Sequence, residues 1–228
     1  MHYHSRGSGQ YIVERSDGFL DILETGPLFQ GHEDWQEYEK EAMNSVKGRV
    51  LDVGCGAGRH AIYLQNKGFD VLGTDISPLA IEVCKKRGLK NAEVMAIEDV
   101  YHRADSFDTV LMLGNNFGLF GNPEKARVLL DSFHTMTTPD ALIIASSNDV
   151  YRTTNSLHLK YQESNRRRGR MSGQINFRVR FRQYSTPWYD YLMVSKDEMK
   201  EILQETGWKV RQYIDSEMSY YVALIEKI

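Results

Sequence analysis

Short apolar runs alternate with amphipathic segments through the middle of the chain, and this alternation is the main structural signal in the sequence. Each apolar run has the length of a buried strand, and each amphipathic segment repeats its apolar positions at helical spacing. This rhythm predicts an α/β fold with a doubly wound, mostly parallel sheet and helices on both faces. The predicted strands are residues 49–53, 69–74, 92–96, 107–113 and 141–146, and the predicted helices are 59–67, 77–88 and 122–136.

The pattern changes after Asp149, where an alternation of period two replaces the helical spacing. Residues 174–184 are predicted to form a half-buried antiparallel strand that pairs with a second strand at 189–194. Ser195 and Glu198 then form a capping-box pattern that opens a helix, and two last strands, 209–214 and 220–225, are predicted to pair antiparallel. In the alternating strand the apolar side chains are Ile175, Phe177, Val179 and Phe181, and the polar ones are Asn176, Arg178, Arg180 and Arg182.

These elements divide the chain into four predicted parts. Residues 1–47 are interpreted as an N-terminal helical cap, with helices around 18–24 and 33–46. The remaining parts are a ligand-binding core at 48–150, a small antiparallel β insertion that caps the substrate at 151–193, and a C-terminal completion of the core at 194–228.

Composition narrows the class of protein. No apolar run reaches the ~18 residues that a membrane span needs, and the first residues lack the apolar stretch of a secretory signal. The two cysteines, Cys55 and Cys84, have no metal-ligand spacing, so we predict neither a zinc site nor a disulfide framework. A cytoplasmic protein without a membrane partner or a bound metal is therefore favoured.

The formal net charge of −3 conceals an uneven distribution. Residues 152–182 contain nine Lys or Arg and one acid, with four arginines at 166, 167, 168 and 170 in a predicted loop. This segment indicates either a solvated surface that balances an acidic body, or a cationic surface for an anionic acceptor or RNA. Phe177 and Phe181 are predicted to point away from the strand arginines, which makes nucleic acid the less favoured partner.

The strongest chemical signal is the stretch VLDVGCGAGRH at residues 50–60, which joins a predicted strand to a helix through a glycine-rich turn. The glycines let the backbone bend tightly and approach a ligand closely. The helix N-terminus supplies unpaired N–H groups that bind a carboxylate, and Asp52 can meet an ammonium. A zwitterionic amino-acid group therefore fits this turn, which we expect Asp52, Gly54, Cys55 and Gly56 to line.

Asp75 is the second signal, because it ends the next predicted strand, 19 residues after Gly56. A carboxylate at this position can accept hydrogen bonds from both ribose hydroxyls of a nucleoside, and Ile76 can pack on the adenine face. A dinucleotide-binding enzyme shares this acid, but its G-x-G-x-x-G/A fingerprint is not matched, since Arg59 takes the third small position. Asp52 would also repel a pyrophosphate. A charged nucleoside is thus favoured over a dinucleotide, and over a tight turn without a ligand.

Together these motifs resemble the class I S-adenosylmethionine-dependent methyltransferase family. The matching stretches are LDVGCGAG at 51–58, GTDIS at 73–77 and SFDTVLML at 106–113, and the resemblance covers residues 45–148. It implies S-adenosylmethionine as the cofactor and a Rossmann-like, seven-stranded sheet whose last strand is inserted antiparallel. It also implies methionine contacts at Asp52, Gly54 and Gly56 and a ribose contact at Asp75.

The resemblance departs from the family pattern at the adenine end of the site. Relatives often carry an acid at the position of Ala96. We therefore expect the backbone of Ile97 and Glu98 to bind the adenine amine, with the Asp99 side chain as the alternative. Leu113, which ends the fourth predicted strand, is also expected to line the cofactor.

The acceptor side is marked by the stretch GNNFG at 114–118, which resembles the GNSFG of some methyltransferases that act on small-molecule amines and sugars. Asn115 and Asn116 are candidate substrate contacts, and the alternative is a loop stabilised by side-chain to backbone hydrogen bonds. Candidate pocket walls, each with core packing as the alternative role, are Tyr11, Trp188, Tyr189 and Tyr191. No catalytic residue is assigned, because transfer from a sulfonium requires a base only when the acceptor is protonated.

The leading hypothesis is a methyltransferase that acts on a small-molecule N or O acceptor by in-line displacement. The alternatives are an RNA or protein methyltransferase that uses the basic insertion, and an S-adenosylmethionine-binding protein without turnover. The (D/N/S)-P-P-(Y/F) motif of DNA amino-methyltransferases is absent after the fourth strand, and neither cysteine follows a proline as in cytosine-C5 enzymes. No pattern indicates an oligomeric state.

Overall fold

Two sheets organise the protein, for which a computed structural model describes residues 9–102 and 106–228. The larger sheet has seven strands in the order β11-β12-β7-β6-β3-β4-β5. The smaller, here called the roof sheet, has the order β10-β8-β1-β2, and β9 pairs with β8. The strands of the larger sheet are β3 (Val50–Val53), β4 (Val71–Asp75), β5 (Ala92–Val94), β6 (Phe107–Met112), β7 (Thr137–Asn148), β11 (Trp208–Asp215) and β12 (Tyr220–Lys227). Those of the roof sheet are β1 (Gln10–Arg15), β2 (Leu20–Glu24), β8 (Gln174–Phe181), β9 (Tyr184–Ser185) and β10 (Tyr189–Leu192).

The larger sheet confirms the predicted α/β architecture. Strands β5, β4, β3, β6 and β7 are parallel to their neighbours, and β12 is inserted antiparallel between β7 and β11. Helices cover both faces. On one face lie α4 (Pro123–Met136) and α6 (Lys196–Leu203), and on the other lie α1 (Glu37–Met43), α2 (Arg59–Asn66) and α3 (Pro78–Lys86). Helix α5 (Ser156–Arg167) belongs to the insertion.

The core has one apolar layer on each face of this sheet. The first layer joins α4 and α6 to the sheet through buried side chains such as Phe133, Met199 and Trp208. The second layer joins α1, α2 and α3 to the sheet through Met43, Leu64 and similar residues. The two layers bury opposite faces of the same strands, and the site lies at the edge where the parallel strands end.

The prediction of a helix around residues 18–24 is wrong. Leu20–Glu24 is strand β2, and it forms a hairpin with β1 around Gly18, whose φ of +88° suits a glycine in a tight turn. Strand β1 pairs in turn with β8, whose residues lie more than 160 positions later. Pairing with a distant strand overrides the local helical pattern. Strands β1 and β2 are therefore part of the same sheet as the insertion, whereas Glu37–Met43 forms helix α1.

The insertion also contains a helix that the sequence pattern did not indicate. Asn155 caps α5 by accepting the Leu157 N–H, and Arg166 and Arg167 occupy its last turn instead of a loop. Asn165, which is 2% exposed, donates to the carbonyls of Ser172 and Gln174, and these bonds tie α5 to the start of β8. The predicted pairing of the alternating strand with a second strand is confirmed, as β8 with β10.

The described parts of the chain contain no helix that is long and apolar enough to cross a membrane.

The capping box at the start of α6 offers a test of local stability. Ser195 accepts the Glu198 N–H, and the Glu198 side chain accepts the Ser195 N–H. We expect Ser195→Ala to destabilise the protein by about 1 kcal/mol and to lower Tm by about 2–4 °C. Ser132→Ala is the matched control, since this serine bonds a carbonyl within α4, where alanine is the better helix former. Equal effects of the two substitutions in thermal unfolding would contradict the capping role.

Candidate active site

The glycine-rich turn lies between β3 and α2, and its glycines have distinct roles. Gly54, Gly56 and Gly58 have φ values of +71°, +56° and +79°, which disfavour any other residue. A Cβ on Gly54 would lie 2.7 Å from the side chains of Asn116 and Leu119. For Gly56, no described atom lies within 4 Å of the position that a Cβ would take. Gly54 thus permits close packing on the loop after β6, whereas Gly56 exposes its backbone to open space.

Asp75 connects this turn to the start of α3. Its Oδ2 accepts the Gly56 N–H at 2.9 Å, and its Oδ1 accepts the Ser77 N–H at 2.8 Å. Burial raises the pKa of this carboxyl, and the two N–H donors oppose that change. Each oxygen keeps a further lone pair that can accept a hydroxyl hydrogen. The predicted ribose contact is therefore held rigidly at the carboxyl end of β4.

Asp52 is a buried carboxyl with an unsatisfied oxygen. It is 2% exposed, and its Oδ2 has no hydrogen-bond partner among the described residues. Burial and the charge of Asp75 raise its pKa to about 7, while the Ala61 N–H and the Arg59 charge act in the opposite direction. A carboxylate in this state is stabilised when a cation arrives, so the turn fits a ligand with an ammonium or sulfonium charge.

The residues that we predicted to contact adenine include an exposed apolar side chain. Ile76, directly after Asp75, is 74% exposed, and burying an isoleucine side chain against a ligand is favourable. Ile97 packs against the core, and the Glu98 side chain forms an ion pair with Lys125. The side chain of Glu98 is thus engaged, which leaves the backbone of this segment for the adenine contact that we predicted.

Cys55 faces away from the open side of the turn. Its Sγ lies 3.8 Å from the Sγ of Cys84, whose thiol also donates to the Gly56 carbonyl at 3.1 Å. The hydrogen bond with Cys84 and burial both raise the pKa of the Cys55 thiol, so it stays protonated. Cys55 can therefore contact a ligand through its backbone alone.

The loop after β6 fixes the turn from the other side. The Asn116 amide donates to the carbonyls of Val53 and Gly54, both at 2.9 Å. Asn115 has a φ of +67°, and its N–H donates to the Ser146 hydroxyl at 2.7 Å. For Asn116 these bonds match the loop-stabilising alternative. Leu113 is 2% exposed and belongs to the core behind the loop.

A wall of aromatic side chains from the roof sheet covers this loop. Strand register places Tyr11, Phe177, Tyr189 and Tyr191 on one face of the roof sheet. The Tyr191 hydroxyl donates to the Asn115 carbonyl at 2.6 Å, and its ring lies on Gly118, where a Cβ would collide with it. Burial, the Asp75 charge and the nearby Tyr11 raise the pKa of Tyr189. Tyr11 and Tyr189 therefore lie within electrostatic range of each other, and Tyr189 within that of Asp75.

Trp188 does not belong to this wall. Its ring packs on the Arg178 guanidinium at 4.7 Å, and its side chain is 42% exposed. Arg178 faces Glu14, which lies on the opposite side of the roof sheet from Tyr11 because neighbouring positions of a strand alternate. We therefore leave Trp188 out of the site that we propose below.

Several arginines of the insertion have protein partners. Arg178 and Arg180 share Glu14, with N–O distances of 2.9 and 3.2 Å. Arg167 pairs with Glu163, Arg170 lies 3.7 Å from Asp190, and Arg166 donates to the Ser172 hydroxyl. These pairs match the solvated-surface interpretation, since an arginine already neutralised contributes less to binding phosphates.

Two residues of the glycine-turn region were missed by the sequence analysis. Arg59, the first residue of α2, forms an ion pair with Glu39 of α1, and the Glu39 side chain is 7% exposed. A basic residue that follows a glycine turn was visible in the sequence, but its partner was not, because Glu39 lies in a charged helix where most acids face solvent.

Comparisons with known proteins agree with this geometry. A family model described as a methyltransferase domain matches residues 50–140. A glycine/sarcosine N-methyltransferase from Halorhodospira halochloris is 23% identical, over 94% of this chain and 87% of the relative. A tRNA (uracil(54)-C(5))-methyltransferase from Pyrococcus horikoshii is 31% identical, over 53% of this chain and 32% of the relative.

The solved structures include a match over nearly the whole chain. It is an S-adenosylmethionine-dependent methyltransferase from Bacteroides fragilis, in complex with S-adenosyl-L-homocysteine. The TM-score is 0.84 at 28% identity, and the match covers 99% of this chain and 91% of that one. With the seven-stranded sheet, the glycine turn and the acid after β4, these matches show the class I methyltransferase fold and support an S-adenosylmethionine-dependent methyltransferase.

Proposed function

We propose that this enzyme transfers the methyl group of S-adenosylmethionine to the nitrogen of a small amine. The observation that carries the proposal is the tyrosine wall above the loop after β6, at the edge where the cofactor turn lies. Relatives from Halorhodospira halochloris and Aphanothece halophytica are named for glycine and sarcosine, both small amines. The phenol groups of this wall suit such an acceptor.

The cofactor is assigned to the turn residue by residue. The methionine part lies against Gly54 and Gly56, and at Gly56 the position that a Cβ would take is open space. Asp75 accepts the ribose hydroxyls, and Ile76 packs on the adenine. Asp52 stabilises the positive charge from below the turn. The bound cofactor supplies a methyl group on a positively charged sulfur, which is already activated for displacement.

The protein contributes alignment and exclusion of water. The amine lone pair must approach the methyl carbon on the side opposite the carbon–sulfur bond, and holding both partners in place lowers the barrier substantially. Tyr189 and Tyr191 are suited to holding the amine, because a phenol ring attracts a developing ammonium and its hydroxyl can bond the acceptor.

The tyrosines do not supply a base. Burial raises the pKa values of Tyr11, Tyr189 and Tyr191, so these hydroxyls stay protonated at neutral pH. The amine therefore has to lose its proton to solvent before transfer. A carbon or hydroxyl acceptor would need a base beside it, and this is a reason to prefer nitrogen.

The tRNA relative raises the RNA alternative, but its likeness covers 53% of this chain. The paired arginines of the insertion also give RNA less to bind. The direct experiment supplies the enzyme with S-adenosylmethionine and, separately, a panel of small amines that includes glycine and sarcosine, bulk tRNA, and a protein extract. We expect methyl release with a small amine. Transfer to tRNA or protein alone would refute the proposal, and tight donor binding without any transfer would favour a non-catalytic role.

Tyr189→Ala tests the acceptor wall. We expect kcat/KM for the amine to fall roughly tenfold, because a ring beside the developing ammonium contributes ~1–2 kcal/mol, while the Kd for S-adenosylhomocysteine stays within twofold. Tyr184→Ala is the matched control, since Tyr184 is 52% exposed on β9. A kcat/KM that is the same in both variants would place the acceptor elsewhere.

Asp52 gives a pH prediction of definite sign. The pKa of this carboxyl is about 7 in the folded protein, and a bound cation lowers it, so cofactor affinity should rise with pH. Between pH 6 and pH 8 we expect the wild-type Kd for S-adenosylmethionine to fall up to about tenfold beyond any change in Asp52→Asn. The variant controls for titration of the ligand's own amine.

The same substitution should stabilise the ligand-free protein at high pH. Because the pKa of Asp52 is raised in the folded protein, its ionisation lowers the free energy of unfolding. This loss of stability grows as pH rises from 3.8, the ordinary pKa of an aspartate, to about 7. We therefore expect Asp52→Asn to have a higher Tm than wild type at pH 8 and a smaller advantage near pH 4. Parallel pH profiles for the two proteins, in both binding and unfolding, would show that Asp52 does not titrate as proposed.

A further inference from the structure

The ion pair between Glu39 of α1 and Arg59 at the end of the glycine turn is largely buried. The Glu39 side chain is 7% exposed and the Arg59 side chain 16%. The Nε2 of His60 lies 3.6 Å from the Glu39 carboxylate, and burial lowers the pKa of His60, so this imidazole is neutral. Arg59 therefore provides the charge that balances Glu39.

Stability alone gives a poor account of this pair. Replacing a buried ion pair by apolar residues of similar size is often neutral or stabilising, so such a pair is weak support for a structural role. The surroundings of this one are already apolar, since Trp35 is 3% exposed and its ring lies 5.5 Å from the Arg59 guanidinium. The positive charge of Arg59, fixed in this position, can bind an anionic group of a ligand beside it.

Arg59 is placed beside the methionine end of the site. It follows Gly58 directly and begins α2, so it shares the helix N-terminus with the backbone N–H groups of the turn. Its charge acts on Asp52 beneath the turn. Among the described residues, its guanidinium donates to the Glu39 carboxylate through a single nitrogen. A guanidinium has five N–H donors in a fork that matches a carboxylate, so most of its donors can serve a second anion.

We propose that Arg59 binds the α-carboxylate of the cofactor's methionine part and that Glu39 is the positioning residue that holds Arg59 in place. The helix N-terminus and Arg59 then act on the same carboxylate from two sides. Glu39 fixes a long side chain before the ligand arrives, which removes part of the ordering entropy from the binding step. The inference rests on the cofactor assignment and adds to it a link between α1 and the turn.

The Glu39–Arg59 ion pair connects the segment that precedes the larger sheet to the glycine turn. Helix α1 packs on β11 and β12 and buries Ala42 and Met43 in the core. The Trp35 indole donates to the Gln30 carbonyl, and its ring meets that of His60 at 4.7 Å. The segment before the larger sheet thus contributes to cofactor binding through Glu39, although none of its own side chains needs to touch the ligand.

Two ligands separate this role from a structural one. S-adenosylhomocysteine carries the amino and carboxyl groups, whereas 5′-methylthioadenosine has the same nucleoside and sulfur without them. In calorimetry with full-length protein, we expect Glu39→Gln to raise the Kd for S-adenosylhomocysteine about tenfold, the loss typical of a weakened charged hydrogen bond. The Kd for methylthioadenosine should change by less than twofold. Glu37→Gln is the matched control, because Glu37 lies in the same helix and is 89% exposed.

Arg59→Ala extends the test. It should lose at least as much affinity for S-adenosylhomocysteine as Glu39→Gln, and the double variant should lose no more than Arg59→Ala, because the two residues act as one unit. Equal losses for both ligands with a lower Tm, additive losses, or unchanged affinity for both would each overturn the proposal. If wild type binds neither ligand, the cofactor assignment itself fails, which is a different result from a selective failure of Glu39.

Discussion

The site depends on one carboxylate that accepts two backbone N–H groups. Asp75 bonds the N–H of Gly56 and that of Ser77, and so joins the glycine turn after β3 to the helix that follows β4. Because β3 and β4 are adjacent and parallel, their ends lie side by side, and the bond fixes the space between them. The turn can then remain open at Gly56, and the predicted ribose and methionine contacts keep a constant separation.

The other parts of the site are held against this edge by polar bonds of the same kind. Asn116 bonds the carbonyls of Val53 and Gly54, and Tyr191 bonds the carbonyl of Asn115. The roof sheet is thereby attached to the loop that follows β6. Glu39 and Arg59 attach α1 to the other side of the turn. The cofactor edge is thus surrounded by elements from both ends of the chain, which suits a reaction that requires a methyl donor and an acceptor to be aligned.

The sequence predicted the larger sheet well, because its signals are local. Buried strands, glycine stops and helix caps such as Asn122 and Ser195 can each be identified within a few residues. The glycine turn and Asp75 could be predicted for the same reason. The roof sheet was predicted only in part, since Gln10–Arg15 pairs with a strand at Gln174–Phe181 and no short-range pattern records that contact. The Glu39–Arg59 pair could not be predicted for the same reason, because it depends on a tertiary contact. The same holds for the position of Trp188 on the side of the roof sheet opposite Tyr11.

The central claim is that Asp75 binds the ribose of the cofactor while holding the turn. The most direct test is the affinity of Asp75→Ala for S-adenosylhomocysteine, measured by calorimetry beside Asp70→Ala, whose carboxylate is 57% exposed and pairs with Arg49. We expect a loss of roughly tenfold or more for Asp75→Ala, as for a charged hydrogen-bond pair, and wild-type affinity for Asp70→Ala. Unchanged affinity in Asp75→Ala would contradict the account.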